Sequence, residues 1–437
     1  MVSAPQSQVS SKLNRVCILN VVGLTPRLAA HAPRISRLGS ALPWRSPLPA
    51  VTCTSQATML TGTMPREHGI VGNGWYFRET AEIRFWQQHN GIIQGEKLYE
   101  GFETAKMFWW FNQSAPVRWS CTPKPHYGCD GSKAFDVLDF TDCDLTKHLG
   151  PFPFFAFWGP GSGIASSQWI AQATALVMRK QKPQLSMVYL PHLDYDYQKY
   201  PQHDPQRVAE VDACAGKVID AAEDIGAQVV VVSEYGLVPV TKAVMINQHL
   251  RRAGMLSVRK GPFGEMLMPG ESRAFAVADH QLAHIYVNDP TVVDEVRKLL
   301  ESIDGIASVV EPGDLQLDHP RSGELIALSD ADAWFAYYYW LDDSLAPDFA
   351  RCVDIHRKPG YDPCELFMTS KPRAAWRLAQ KKLGMRYKMD VIPLNPSLVR
   401  GSHGLHPADQ DGPMILGPES PPNQMDGFKD YIRRLLT

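Results

Sequence analysis

The sequence has no C-x-x-C pair, no run near the roughly 18 apolar residues of a spanning helix, no internal repeat and almost no net charge. Each absence removes a class of function. The eight cysteines are scattered singly between Cys17 and Cys364, which excludes a thiolate zinc cluster and leads us to expect free, mostly buried thiols. Forty-four basic against 46 acidic residues leave a formal charge of −2. No long-range field therefore draws the chain to a nucleic-acid polymer or to an anionic membrane. The first twelve residues are polar and serine-rich, and the apolar stretch 16–24 is interrupted by Asn20 with no cleavage-type site behind it. With no leader or span to read, the expected location is cytoplasmic.

What is present is a chain of 437 residues, 44% hydrophobic and 21% charged, long enough for one large core carrying a smaller insertion. Residues 16–22 form a short apolar run ending at Gly23, which reads as a buried parallel strand. Similar runs recur at 185–190 and 227–233. Helix-period segments fill the intervals at 167–182 and 208–225, the second with Val211, Ala215, Val218 and Ala222 on one face. Strands alternating with helices predict an α/β fold with a mostly parallel central sheet, whose ligands sit at the carboxyl ends of the strands. Gly23, Asp194 and Glu234 fall at those ends. From residue 272 the texture shifts to short strands at 275–279 and 283–287, a helical stretch at 290–303 and a strand near 307–310. The division expected is a core over 13–271, a small inserted α+β cap over 272–321, and the core again over 322–437.

One segment carries chemistry. Pro49, Thr52, Thr61-Gly62, Pro65 and His68-Gly69-Ile70 surround a threonine hydroxyl poised to start a helix, where free backbone N–H groups and the helix dipole favour an alkoxide and a phosphoryl oxygen. This frame resembles the nucleophile segment of the nucleotide pyrophosphatase/phosphodiesterases and phosphonoacetate hydrolases of the alkaline phosphatase superfamily. Gly401-Ser402-His403-Gly404 with Gly417-Pro418 resembles the family's G-x-H-G…GP ending, and Ser233-Glu234-Tyr235-Gly236 stands where the family has S-D-H-G. The resemblance implies a three-layer core with an inserted cap and a metal-dependent phosphoester hydrolase in which Thr52 is the nucleophile and forms a phospho-threonine. It also implies that His68 is structural.

The resemblance further implies two metal ions held by three carboxylates and three imidazoles, and here the chain departs from it. Val22 replaces the aspartate that ends the first strand. The D-x-x-x-H pair falls on Asp194 and Gln198, and the Asp-His pair becomes Glu234-Tyr235. The repaired ligand set expected is Asp194, Asp196, Glu234 and His403, holding one or two divalent ions of zinc, magnesium or manganese. Asn20, Gln198 and Tyr235 are expected to contact substrate. So are Asp354 and His356, from a loop segment with acid and imidazole at i and i+2, and Trp75, an aromatic just after the nucleophile helix. Asp279, His280 and His284 read as structural. The expected partner is a small phosphorylated molecule: a nucleotide, another phosphodiester or a phosphonate. The lost ligands keep a second reading open, a degenerate homologue that binds without turnover.

Overall fold

The computed structural model describes residues 13–129, 133–200, 203–385 and 387–437; the polar start, 1–12, lies outside them. In chain order the strands of its two main sheets are β1 (Arg15–Val21), β2 (Leu42–Pro43), β3 (Thr104–Met107), β4 (Trp119–Pro123), β5 (Val137–Phe140), β6 (Leu185–Leu190), β7 (Ala227–Val232), β8 (Ala274–Asp279), β9 (Leu282–Val287), β10 (Ile306–Val310), β11 (Leu325–Ser329) and β12 (Met414–Leu416). The central sheet runs β2-β12-β7-β1-β6-β3-β4-β5. Its middle five strands, β7 to β4, are parallel, and the edges are antiparallel.

The period-2 alternation of a strand explains the three layers. Cys17, Leu19 and Val21 of β1, with Val188 of β6 and Val231 of β7, face a core shared with Trp169, Val177, Val211 and Val218. These belong to helices α2 (Ile164–Gln181) and α4 (Pro205–Asp224), which pack on each other. Val16 and Ile18, with Met187, Val230 and Val232, face the opposite core. That second core is completed by α1 (Thr52–Thr61) and by α6 (Phe428–Leu436) at the carboxyl terminus. Between them lie α3 (His192–Lys199), directly after β6, and α5 (Val293–Glu301).

The smaller sheet is antiparallel throughout, in the order β8-β9-β11-β10. Its strands do not pair with the central sheet. The expected return to the core at residue 322 is corrected here: Leu325–Ser329 fills the position between β9 and β10. A continuous apolar run suits a strand of a large covered sheet and equally the middle strand of a small one.

All eight cysteines are free thiols, and among the described residues no helix is long and apolar enough to cross a membrane. His68 behaves as a structural residue. It is fully buried, and burial pushes its pKa down to about 3. Its Nε2 bonds Thr58 Oγ1 at 3.0 Å and its Nδ1 accepts from the Ile70 N–H at 3.0 Å, fixing the loop behind α1.

Candidate functional site

Parallel strands bring their carboxyl ends to one edge, and the site grows there. Gly23 follows β1 with φ of +79°, and a Cβ on it would lie 3.1 Å from Leu237 and 3.4 Å from the Asp194 nitrogen. The close approach of three segments depends on that missing side chain. In register, Asn20 pairs with Tyr189 on one side and Val232 on the other, so Asn20 lies just below the loop that begins at Ser233.

Thr52 opens α1. The residue before it, Val51, caps the helix without a side-chain bond, so the first-turn N–H groups are largely left for other partners. The Thr52 hydroxyl bonds Tyr235 Oη at 2.9 Å. Asn73 Oδ1 accepts from the Cys53 N–H at 3.0 Å, and Asp279 in turn accepts from Asn73 N–H at 2.7 Å and Nδ2 at 3.0 Å. The start of α1 is thereby tied to the end of β8. Burial lifts the Asp279 pKa to about 6, against the Asn73 bonds that lower it.

Behind Thr52, Glu234 is wholly buried and accepts from Asn20 Nδ2 and Gln56 Nε2, both at 2.6 Å on Oε1. Burial raises its pKa to about 8, outweighing the bonds from Gln56, Asn20 and Thr52. At neutral pH this group is mainly a neutral acid. The Tyr235 ring stacks flat on His403, 3.6 Å apart with 5° between planes. His403 Nδ1 lies 2.8 Å from the Ala50 carbonyl, which can only accept, so Nδ1 carries the proton. Nε2 then presents its lone pair 3.5 Å from Asp194 Oδ1.

The family's pair of metal ions does not fit this donor set. Val22 is buried in the apolar core, Tyr235 is a phenol bonded to Thr52, and Glu234 takes two amide donors on Oε1, which leaves Oε2 buried without a hydrogen-bond partner. Gln198 Nε2 donates to Asp194 Oδ1 at 3.0 Å, while its Oε1 accepts from Tyr361 at 2.7 Å. Among the described residues no group of three or more His, Cys, Asp or Glu side chains is placed to hold an ion. Asp194 and His403 face each other as one pair of donors. Protein loaded with zinc and then desalted should therefore carry no more than one ion per chain by elemental analysis; two would contradict this reading of the donor set.

Several expected site residues lie elsewhere. Asp196 ion-pairs with Arg207 and with Lys199 at 3.7 Å, and the buried His192 ring lies 3.2 Å from it. The segment is helical, so residues two apart differ by about 200° around the axis, whereas Asp194 and Gln198, four apart, share a face. Trp75 stacks on Phe77 at 5.2 Å under the Arg321 guanidinium and belongs to the second core. Asp354 pairs with Lys133 at 3.5 Å and Arg357 at 3.7 Å, and His356 Nδ1 lies 3.4 Å from the Phe85 carbonyl. A turn at this point leaves Ile355 facing the site instead. Asn20 acts on Glu234, not on the open space.

That open space is a cleft of about 50 Å³ beside Thr52, Asp194, Tyr235 and His280, walled mostly by rings: Trp86, Trp110, Phe157, Trp158, Tyr189, Tyr195 and Tyr361. Sequence reasoning missed these walls. Residues 108–111 are a contiguous aromatic run, and nothing local says that Trp110 turns toward Thr52 while Trp109 is buried in the core.

The Glu234 carboxyl gives a pH prediction. Its folded pKa stands above the ordinary carboxylate value, so the unfolded chain releases this proton first and stability falls as pH rises. The stabilisation is complete below about 4.5 and declines by about 1.4 kcal/mol per pH unit toward 8. Urea unfolding of the metal-free protein should show this slope, and Glu234→Gln should flatten it. A slope unchanged by that substitution would assign the effect to another group.

Residues 16–362 match the family described as type I phosphodiesterase / nucleotide pyrophosphatase. No curated protein matches the chain by sequence. Among solved structures the fold is similar to phosphonoacetate hydrolase from Sinorhizobium meliloti 1021 in complex with phosphonoformate, with TM-score 0.60, 14% identity, and 97% of this chain and 96% of that one covered. It is also similar to murine ectonucleotide pyrophosphatase / phosphodiesterase 5, with TM-score 0.57, 12% identity and coverage of 97% and 95%. An inactive variant of that murine protein was solved with AMP. The three-layer core, the helix-borne Thr52 and the match over most of the length agree: the chain belongs to the type I phosphodiesterase / nucleotide pyrophosphatase family, a phosphoester hydrolase family of the alkaline phosphatase superfamily.

Proposed function

We propose that this chain hydrolyses a small phosphoester or phosphonate through attack by Thr52. The observation that carries the reading is the placement of the Thr52 hydroxyl: first residue of α1, bonded to Tyr235 at 2.9 Å, and open to the cleft that Asp194 also lines. The helix start supplies N–H groups to a phosphoryl oxygen. In the first half-reaction a bond forms from Thr52 Oγ1 to phosphorus, the bond to the leaving group breaks, and the hydroxyl proton ends on the departing group. Water then cleaves the phospho-threonine, restoring the hydroxyl and releasing the phosphorus acid.

Tyr235 holds the nucleophile from the side where the family places an imidazole. Its own pKa is pushed well above the usual tyrosine value by burial and by the Asp194 and Glu234 carboxyls, so it acts as a neutral hydrogen-bonding partner. The test is an assay against an activated phosphodiester, a nucleotide pyrophosphate and a phosphonate, with zinc, manganese or magnesium supplied. An acid quench during turnover should leave a phosphoryl adduct on the peptide that carries Thr52. Inactivity on all three substrate classes would transfer the assignment to ligand binding without turnover, the reading that Val22, Gln198 and Tyr235 favour.

A further inference from the structure

One surface helix turns its charged side to the protein and its apolar side to water. Lys371–Lys382 starts where the Ser370 hydroxyl accepts from the Arg373 N–H at 3.3 Å, and it ends before Gly384, whose φ of +66° closes the turn. The alanine, leucine, glutamine, lysine and arginine between them favour the helical state. Arg373 and Arg377 both reach Asp390, at 2.5 and 2.7 Å, and Ala374 packs against the small core of Val240, Trp334, Val391 and Ile392. At about 100° per residue, the side opposite Ala374 and Arg377 carries Pro372, Ala375, Trp376, Ala379 and, just past the helix end, Leu383. Trp376 is 57% exposed and Leu383 72%.

A stripe of this kind normally packs on the core of its own chain, so an uncovered one points to a partner. Charge identifies that partner. Residues 366–389 hold seven lysines and arginines and no acid, within a chain of net charge −2. Screening confines electrostatic attraction to roughly 8 Å, so the balance of the whole chain does not cancel this patch for a surface in contact with it. Lys371 and Lys382 flank the stripe and are exposed, and among the described residues neither is ion-paired. A second copy of the chain would set these cations against their own kind. A protein groove would have to enclose a helix whose other side is fixed to Asp390, whereas a flat layer meets the free side as it stands. Tryptophan settles at the headgroup level of a bilayer, and lysine lays its stem on apolar surface while its ammonium stays with the phosphates.

We propose that the helix Lys371–Lys382 docks the protein on an anionic lipid surface, lying in the plane of the interface with Trp376 and Leu383 at the acyl boundary and Lys371 and Lys382 among the headgroups. The test is flotation of the full chain with vesicles of phosphatidylcholine alone and of an equimolar mixture with phosphatidylserine. The wild type should bind the anionic vesicles at least about tenfold more tightly than the neutral ones, and high salt should release it. Replacing both flanking lysines, Lys371→Ala with Lys382→Ala, should weaken anionic binding about twentyfold, and Trp376→Ser about tenfold. Docking of this kind does not involve Thr52, so Thr52→Ala should float as the wild type does.

Equal binding to the two vesicle types, or anionic binding that survives both the lysine pair and the Trp376 substitution in folded protein, would overturn the proposal. Binding to neither vesicle would overturn it as well and leave the stripe to a protein partner. The wild-type comparison decides between charged lipid and the alternatives even where a variant fails to fold.

Discussion

Thr52→Ala is expected to lower hydrolysis of an activated phosphodiester by roughly 10³-fold or more, with the fold and the substrate affinity retained. The hydroxyl opens both onto the start of α1 and onto the cleft. Thr54 and Ser55 cannot replace it: both are fully buried, two and three residues further along the helix, and Ser55 Oγ is directed at the Glu234 carbonyl. Stability should change by only about 1 kcal/mol, the worth of the lost bond to Tyr235. Thr52→Ser should recover much of the rate, because the oxygen returns. Tyr235→Phe separates positioning from chemistry. It keeps the ring stacked on His403 but frees the threonine hydroxyl, so kcat should fall while KM stays nearly constant. Should Thr52→Ala retain wild-type turnover, the reaction must use another nucleophile or none on the protein.

The parts of this site that could be read from sequence are those written locally. The threonine, the helix behind it and the histidine loop form one contiguous stretch, and Asp194 with Gln198 are separated by one helical turn. Asp196 misled because its two-residue spacing from Asp194 means the same side on an extended chain and nearly opposite sides on a helix, and the spacing alone does not say which applies. Asp354 and His356 failed for the converse reason: a turn replaced the extended chain that would have aimed both inward. Leu325–Ser329 has the composition of any covered strand, so its membership of the smaller sheet depends on partners more than a dozen residues away. The aromatic cleft was the least legible feature. Trp86, Trp110, Trp158, Tyr195 and Tyr361 carry no mutual signal along the chain, because their convergence is produced by the sheet order and not by any local period.

The second large effect concerns the loop that supplies one wall of that cleft. Lys358 is almost fully buried, with its Nζ 2.6 Å from Asp362 and 2.7 Å from Glu365. Burial works against its charge, but the two carboxylates outweigh it and hold its pKa above the ordinary lysine value. Glu365 also accepts from the Asp354 N–H at 2.9 Å and from Trp158, so one ammonium neutralises the group that fixes both the 354 turn and the cleft wall. Lys358→Met keeps the apolar stem and removes the charge, leaving two acids facing each other in a dry interior. Breaking such a pair from one side costs about 3–5 kcal/mol. The deficit should depend on pH. Without the cation, burial raises the folded pKa of Glu365 further, so the loss is small at low pH, where this carboxyl is protonated, and grows as pH rises. Urea unfolding of wild type and variant at pH 5 and pH 8 checks both the size and the sign, and the indole fluorescence of Trp158 should shift as its acceptor relaxes. A deficit below about 1 kcal/mol, or one that shrinks toward pH 8, would mean that Lys358 is not what neutralises the acids behind the cleft.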